Sequence, residues 1–214
     1  MEPQDLTDIV DLCMDEYGKK NRTTLADQLD QWWLQLLVES TMRMKLALDA
    51  SPLDKDHTIL VATQNTSQQS TPRVIGMIEV SWQPVLPDRI PPAVPIPLSL
   101  KKMYCQITGT PIEAWIGNLL IDPSFRRRGL AKLLVAATEG LASQRTGCTS
   151  LHLHCDAQYS AAQRLYQSMG YRIVPKEDTP FTFDGGVAWK DSIYFVDGVA
   201  LLYLRKDIDT KGRM

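Results

Sequence analysis

Apolar residues recur at helical or strand spacing along most of the chain, and this pattern predicts helices and strands in alternation. Spacings of three and four residues from Leu6 to Met14 predict a first helix that ends at Gly18, and the same spacing predicts a second helix over residues 24–49. Two apolar, β-branched runs follow at 57–63 and 74–82. The polar link between them predicts a hairpin.

An irregular stretch separates this half of the chain from a second regular half. Seven of the 13 prolines lie between residues 84 and 111, and proline interrupts both helices and central strands. We therefore expect an irregular insertion over residues 84–112. The pattern then predicts strand, helix, strand, helix and strand over 113–121, 129–143, 150–156, 161–169 and 171–174. A second irregular insertion, over 177–198, is expected before a last strand over 199–206.

This order of elements indicates the α+β or α/β class, and the length suits a single domain over residues 1–214. Of these residues 44% are hydrophobic, so a sizeable core can form without a disulfide or a metal. The 23 Lys and Arg against 25 Asp and Glu give a formal net charge of −2. Nucleic-acid binders usually carry a basic excess, so we expect no nucleic-acid partner. No run of about 18 apolar residues predicts a membrane span.

The cysteines indicate a reducing environment. Cys13, Cys105, Cys148 and Cys155 are scattered and form no C-x-x-C pair, so neither a disulfide framework nor a zinc knuckle is predicted. The first residues show neither a basic-then-apolar signal peptide nor a transit segment rich in Arg and Ser. We therefore expect a protein of the cytoplasm or the plastid stroma.

A first motif lies in residues 116–132, where an apolar strand runs through a tight turn into three arginines and a glycine that open a helix. Free backbone N–H groups at a helix N-terminus favour phosphate oxygens. Gly129 and the small Ala131 would let a pyrophosphate approach the backbone closely, and Arg126 to Arg128 would add positive charge. An isolated run of this kind is more often a solvated basic cluster.

A short amphipathic helix follows about 20 residues after the helix expected over residues 129–143. Ser160 and Gln163 have the form of a capping box, and Gly170 suits the position after the helix C-terminus. One face of this helix is formed by Ala162, Leu165, Tyr166 and Met169. By itself this is an ordinary helix with Tyr166 at the edge of the core.

Together, in this order and at this separation, the two segments resemble the acetyl-CoA-dependent N-acetyltransferases of the GCN5-related (GNAT) superfamily. The family signature Q/R-x-x-G-x-G/A corresponds to Arg126-x-x-Gly129-x-Ala131. The A-x-x-L-Y-x-x-x-G-F/Y element corresponds to Ala162-x-x-Leu165-Tyr166-x-x-x-Gly170-Tyr171. Close similarity covers residues 113–176 and is greatest to plastid-type and bacterial enzymes that modify protein α-amines and lysine side chains.

The resemblance implies an α+β, three-layer GNAT fold, with a central, mixed, mostly antiparallel sheet that is splayed in the middle and flanked by helices. Relatives usually place a strand before the first helix, whereas helix signals start here within five residues of Met1. We therefore expect either that the chain is short at its N-terminus or that the sheet lacks this edge strand.

The resemblance also implies acetyl-CoA as co-substrate. The strand that ends in Leu119-Leu120-Ile121 would hydrogen-bond the pantetheine arm, and the following loop would hold the pyrophosphate. The expected cofactor-binding residues are Leu119, Leu120, Ile121, Arg126, Arg127, Arg128, Gly129, Leu130, Ala131, Lys132 and Ser160. Tyr166 would protonate the departing CoA thiolate. Relatives often carry Asn at the position of Tyr159, so cofactor contacts at that corner stay open.

Acetyl transfer to an amine requires the neutral amine, and a lysine with a pKa of about 10.4 is neutral in only about one molecule in 10³ at pH 7. Strand alternation places His152 and His154 on one face. His154 is the first candidate for the base, because relatives often place a carboxylate or His there and its ordinary pKa of about 6.5 suits the task. Glu113 is the second candidate. A water chain or the absence of a dedicated base stays open.

Two further patterns are assigned to structure. The Trp32-Trp33 pair could line a substrate groove, but large apolar residues at helical spacing favour the core. A metal site of His152, His154 and Cys155 is disfavoured, because Cys155 faces away from the histidines and a structural zinc ion takes four ligands. We therefore expect no metal cofactor.

The resulting hypothesis is direct attack of a primary amine on acetyl-CoA through a tetrahedral intermediate. A protein or peptide acceptor is preferred, at an N-terminal α-amine or a lysine side chain. The alternatives are a small amine or polyamine as acceptor, and a non-catalytic acyl-CoA-binding module on the same fold. The oligomeric state is left open.

Overall fold

The computed structural model describes residues 3–18, 24–49, 56–65, 72–86, 96–144, 148–175, 193–196 and 199–208. Its helices are α1 (Leu6–Tyr17), α2 (Leu25–Asp49), α3 (Leu98–Thr108), α4 (Leu130–Ser143) and α5 (Ser160–Ser168). Its strands are β1 (His57–Gln64), β2 (Arg73–Pro84), β3 (Ile112–Ile121), β4 (Ser150–Asp156), β5 (Arg172–Ile173), β6 (Ile193–Val196) and β7 (Val199–Asp207). Short 3-10 turns at Pro3–Asp5 and Pro123–Phe125 precede α1 and α4.

The strands form one mixed, mostly antiparallel sheet in the order β1-β2-β3-β4-β7-β5, with β6 also paired to β7. Among the described strands, β3 and β4 are the parallel neighbours, and the other pairs are antiparallel. This architecture confirms the predicted fold class.

Helices cover both faces of the sheet and make it the middle of three layers. On one face, α4 and α5 pack on strand residues in a core that includes Val135, Tyr166 and Leu153. On the other face, α1 and α2 pack on β1 and β2 in a second core that includes Ile9, Met42 and Met77. The two cores lie on opposite faces because successive strand residues, such as Met77 and Ile78, point in opposite directions.

The first element of the described chain after a short turn is a helix, as the sequence pattern predicts. A 3-10 turn at Pro3–Asp5 leads directly into α1, and Gly18 ends that helix. The Asp8 carboxylate accepts a hydrogen bond from the Val74 N–H at 2.8 Å and so attaches α1 to β2. In the part of the chain that the structure describes, no strand precedes α1, and β1 forms the sheet edge.

The expectation of irregular structure throughout residues 84–112 is wrong, because α3 occupies Leu98–Thr108. Pro97 sits at the N-cap and Gly109, at φ +70°, follows the last turn, so these residues bound a helix that contains no proline. Lys101 attaches α3 to the domain, since its ammonium donates to the Asp56 carboxylate at 2.7 Å. Residues 87–95 of the expected insertion lie outside the described residues.

The expected second insertion, over 177–198, also contains regular structure. The strand β6, Ile193–Val196, pairs antiparallel with β7, and Val196 stands opposite Val199 in a tight hairpin. The aromatic and β-branched residues of β6 are typical of strands. Residues 177–192 lie outside the described residues.

The prediction that Trp32 and Trp33 belong to the core is wrong. Their exposed fractions are 60% and 55%, and their ring centroids lie 6.5 Å apart. The reason is the rotation of α2, which turns Gln31, Met42 and Lys45 towards the domain. Gln31 lies against Gly18, in the space that a Cβ atom there would need, so the polar side of this first half of α2 faces inward.

A buried aromatic cluster of Trp115, His152 and Tyr203 lies on the face of the sheet opposite α4 and α5. His152 is 1% exposed. Its Nε2 lies 2.8 Å from the Ser150 hydroxyl, and its Nδ1 is hydrogen-bonded to the Tyr203 hydroxyl. Burial lowers the pKa of His152 to about 4, so the ring is uncharged at neutral pH.

The difference in burial between Met77 and Trp33 predicts that replacing each by alanine lowers the free energy of unfolding by different amounts. Met77→Ala should lower the free energy of unfolding by about 2–5 kcal/mol, because Met77 is fully buried. Trp33→Ala should change it by less than about 1 kcal/mol, because the ring is mostly exposed. Urea denaturation of both variants measures the difference. Equal losses would show that Trp33 is packed in the folded protein.

Burial of His152 predicts an acid-dependent loss of stability. Its folded pKa of about 4 lies below the ordinary value of about 6.5, so the unfolded chain binds more protons between these values. The His152 contribution is therefore complete above pH 6.5 and falls by about 1.4 kcal/mol per pH unit towards pH 4. Urea denaturation at pH 7 and pH 5 should show a smaller pH dependence for His152→Gln than for the wild type. The same pH dependence in both proteins would contradict this.

Candidate active site

The site begins where the parallel strands β3 and β4 separate. They are paired only at Ala114 with Leu151, Trp115 with His152, and Ile116 with Leu153. Beyond Ile116, β3 continues beside β2 to Ile121, while β4 continues beside β7 to Asp156. A gap therefore opens at the C-terminal ends of both strands, as the predicted splay requires.

A β-bulge in β3 coincides with this separation. Met77 stands opposite Leu120 and Glu79 opposite Gly117, so Asn118 and Leu119 share one opposite residue, Ile78. Asn118 has φ +47°, in the left-handed region. Bulges bend the strand that carries them, and this one bends β3 just after its last pair with β4.

A cleft of about 590 Å³ fills the gap between β3, the start of α4 and α5. Nine of the eleven predicted cofactor-binding residues line it: Leu119, Leu120, Ile121, Arg126, Arg127, Gly129, Leu130, Ala131 and Lys132. Tyr159, Ala162 and Leu165 form the opposite wall. The strand and the two motifs that carry the resemblance therefore surround one cavity.

The turn between β3 and α4 is held by Asp122. Its carboxylate accepts hydrogen bonds from the backbone N–H and the hydroxyl of Ser124, and it pairs with Arg73 at 2.7 Å. The bonds from Ser124 are the main cause of a lowered pKa at Asp122. Gly129, at φ +84°, then starts α4, and no atom lies within 4 Å of the position of a Cβ there. The first turn of α4 is thus open to a phosphate group.

The three arginines have separate positions. Arg126 donates to the Ile121 carbonyl at 3.0 Å and pairs with Glu16 of α1 at 3.0 Å. Arg126 and Arg127 line the cleft. Arg128 instead donates to the Ser124 carbonyl at 3.1 Å, and its guanidinium lies 4.9 Å from the centre of the Phe125 ring. Arg128 therefore braces the turn.

Tyr166 is buried on α5 and is not among the residues that line the cleft. Its ring meets that of Tyr171 edge to face at 5.5 Å. Burial raises the pKa of Tyr166 well above its usual range, and negative charge on Cys155 or Tyr17 would raise it further. The hydroxyl is therefore protonated at neutral pH.

The predicted capping box at Ser160 is wrong. The N-cap residue is Tyr159, and Ser160 is the exposed first residue of α5. Gln163 is buried and donates instead to the carbonyls of Asp156 and Ala157, at 3.1 and 2.8 Å. Ser160 is not among the residues that line the cleft.

The two candidate bases lie at different ends of the sheet. Glu113 is buried near the start of β3, where it accepts hydrogen bonds from the Thr149 N–H, the Thr149 hydroxyl and the Ser150 N–H. The structure does not bring it to the cleft. His154 follows Leu153, the last β4 residue paired with β3. Its half-buried ring stacks on Trp115 at 5.3 Å, so His154 stands beside the gap.

A row of polar side chains at the bulge was missed from sequence. Lys45 of α2 contacts both carboxylate oxygens of Glu79 at 2.6 Å. The Asn118 amide donates to Glu79 at 2.8 Å, and the Tyr17 hydroxyl donates to the Asn118 amide oxygen at 3.1 Å. The available signal was Glu79 itself, a charged residue inside the apolar strand sequence VIGMIEVSW.

Within the described ranges, no group of three His, Cys, Asp or Glu side chains could hold a metal ion. The four cysteines are free thiols and buried. No helix in the described part of the chain is long and apolar enough to cross a membrane.

Comparisons with known proteins agree with this geometry. Arabidopsis thaliana "GCN5-related N-acetyltransferase 4, chloroplastic" is 37% identical over 82 residues, which are 33% of this chain and 28% of that protein. Arabidopsis thaliana NAA60, solved with a bisubstrate analogue, is 16% identical, with a TM-score of 0.57 over 99% of this chain and 97% of that one. The same protein has also been solved with acetyl-CoA, at a TM-score of 0.56.

A bacterial enzyme has the same fold. The ribosomal-protein-S18-alanine N-acetyltransferase of Escherichia coli is 15% identical, with a TM-score of 0.51 over 100% of this chain and 94% of that one. At these identities the solved structures show the fold. The Acetyltransferase (GNAT) family itself matches residues 8–171, which is most of the chain. The protein therefore belongs to the Acetyltransferase (GNAT) family.

Proposed function

We propose that the protein transfers the acetyl group of acetyl-CoA to a primary amine of a protein or peptide, at an N-terminal α-amine or a lysine side chain. The observation that carries the proposal is the cleft lined by β3, the start of α4 and α5, on whose α5 helix the buried, protonated Tyr166 also lies. The names of the relatives favour a protein acceptor, because one modifies an alanine of ribosomal protein S18.

The cleft residues fit the parts of CoA in order. The first turn of α4, with Arg126 and Arg127 beside it, is suited to the pyrophosphate. At Leu119, Leu120 and Ile121 the edge of β3 opposite β2 has no pairing with β4. Backbone N–H and C=O groups on that edge are available to the amide groups of pantetheine. Acetyl-CoA supplies the thioester that activates the acetyl group.

The transfer needs two proton movements. The neutral amine nitrogen attacks the thioester carbonyl, and a tetrahedral intermediate forms. When the C–S bond breaks, Tyr166 gives its proton to the thiolate, and the amine loses its own proton to His154, directly or through water. Tyr166 is protonated at neutral pH, so its hydroxyl has a proton to donate at this step.

A reducing compartment such as the cytoplasm or the plastid stroma suits this protein. The four cysteines are free and buried in the structure. The curated relative that matches residues of this chain is named chloroplastic.

The acceptor is identified by incubating the protein with acetyl-CoA and a mixture of peptides and free amines, followed by mass spectrometry. Acetylated peptide α-amines or lysines are the expected products. Acetylation confined to spermidine or other small amines would replace the protein acceptor in this proposal. Tight CoA binding without acetylation of any amine would indicate a non-catalytic acyl-CoA-binding module.

Tyr166→Phe should lower kcat by about 10²–10⁴-fold, because it removes the proton donor while leaving the ring in place. CoA affinity, measured by calorimetry, should change little. Tyr171→Phe is the matched control, since it removes a neighbouring buried hydroxyl and should leave kcat within about twofold. Turnover of Tyr166→Phe within twofold of the wild type would end the general-acid assignment.

Gly129→Ala should weaken CoA binding about tenfold, because the new methyl group would occupy the open space in front of the first turn of α4. It should also cost about 1 kcal/mol of stability, since Gly129 has φ +84°. Gly109→Ala is the matched control: Gly109 has φ +70° with equally open surroundings, at the end of α3. Equal loss of CoA affinity in both variants would show that only backbone strain is involved.

A further inference from the structure

We propose that Tyr17 receives the acceptor amine, and that Lys45, Glu79 and Asn118 hold its hydroxyl as a hydrogen-bond acceptor. These four side chains are called the bulge relay. The proposal rests on the proposed function and deepens it, because it names the residue that binds the attacking nitrogen. It is independent of the choice between His154 and water as the base.

The direction of every hydrogen bond in the bulge relay is fixed. Lys45 can only donate, and it donates to Glu79. The Asn118 amide must then present its NH₂ group to Glu79, because the opposite orientation would place its oxygen against a carboxylate. The amide oxygen of Asn118 is left facing Tyr17, which donates its single hydroxyl proton to it. The remaining lone pairs of the Tyr17 oxygen can accept only from a donor outside the relay.

The chemistry of Tyr17 supports this direction. Burial of its hydroxyl raises the pKa of Tyr17 to about 12, with Cys13, Glu16 and Glu79 as further causes. The hydroxyl therefore keeps its proton at neutral pH and keeps donating to Asn118. Half of the Tyr17 surface is nevertheless exposed, so a molecule arriving from solvent can reach the side chain.

The bulge relay adjoins the cleft through the chain: Asn118 comes directly before Leu119, and Tyr17 directly after Glu16, both of which line the cleft. A CoA chain that starts at the first turn of α4 and follows β3 backwards from Ile121 to Leu119 next reaches Asn118. A negative charge on Tyr17 would also raise the pKa of Tyr166, so the two side chains are close enough to interact electrostatically.

The polar groups around Tyr17 suit an N–H donor. The Glu79 carboxylate lies behind Asn118 and is paired with Lys45, so the bulge relay orients the Tyr17 hydroxyl without adding net charge. Glu16, the preceding residue, lines the cleft and is paired with Arg126. A primary amine, which has N–H groups to donate, fits this environment.

The test separates amine binding from the chemical step. The probes are an Ala-initiated peptide, a lysine peptide with a blocked α-amine, and spermidine. For whichever is acetylated, Tyr17→Phe should raise the amine KM about tenfold, while kcat and the KM for acetyl-CoA stay within about twofold. Asn118→Gly should act in the same direction, because it removes the relay and accepts φ +47° without strain.

Tyr104→Phe is the matched control, since Tyr104 is a partly exposed tyrosine on α3 outside the cleft, and it should leave all three constants unchanged. If the role of Tyr17 were purely structural, Tyr17→Phe would lower the stability of the protein but would not raise the amine KM relative to the KM for acetyl-CoA. Thermal denaturation of each variant therefore accompanies the kinetics. An unchanged amine KM in Tyr17→Phe would overturn the proposal.

If no probe is acetylated, the proposed function fails. A binding experiment can still test the assignment of Tyr17 in that case. Two conjugates join the CoA sulfur through an acetyl linker to nitrogen, one to the peptide α-nitrogen and one to the lysine ε-nitrogen. At least one should bind wild type more tightly than CoA does by calorimetry, and Tyr17→Phe should lose about tenfold of that advantage. No advantage in wild type, or the same advantage in both proteins, would overturn the assignment of Tyr17.

Discussion

The active site depends on how briefly β3 and β4 pair. Three residue pairs join these parallel strands, and beyond Ile116 and Leu153 each strand follows a different neighbour. The inner edge of β3 then carries backbone groups that a continuous sheet would have paired, and buried backbone groups need partners. An elongated, amide-bearing substrate such as pantetheine can supply them. The bulge at Asn118 maintains the separation, because it bends β3 at this point.

The same separation joins the two faces of the sheet. Elsewhere, alternation keeps the core under α4 and α5 apart from the core under α1 and α2. Tyr166 belongs to α5 on one face, and Tyr17 to the end of α1 on the other. Under the proposed function, the two substrates would enter from opposite faces and would not compete for space. A sheet paired along its full length would keep them apart.

The residues that the resemblance implies for the cofactor come together because they are close in sequence. The turn after β3 and the start of α4 are one continuous segment, and nine of the eleven expected residues line the cleft. The features that differ from the sequence predictions depend on how the helices and strands pack together. The rotation of α2 exposes Trp32 and Trp33, and α3 lies between prolines that mark its boundaries. Glu113 is chemically suitable as a base, but it is used to hold the start of β4.

The bulge relay could not be predicted for a related reason. Its hydrogen bonds join residues 101, 39 and 34 positions apart, from α1, α2, β2 and β3. No periodicity encodes such a meeting, because it requires both the rotation of α2 and the left-handed conformation of Asn118. A buried Glu in an apolar strand indicates only that some partner must exist.

The Lys45–Glu79 pair is better explained by the direction it gives to the hydrogen bonds of Asn118 and Tyr17 than by its contribution to stability. Moving two charges out of water costs several kcal/mol per ion, and a well-packed apolar pair of similar volume often gives equal or greater stability. An apolar pair could therefore fill the space between α2 and β2. It could not orient the Asn118 amide, because a carboxylate behind the amide is what determines which end faces Tyr17. The buried charges thus fix the donor and acceptor order at Tyr17, the proposed amine-binding residue.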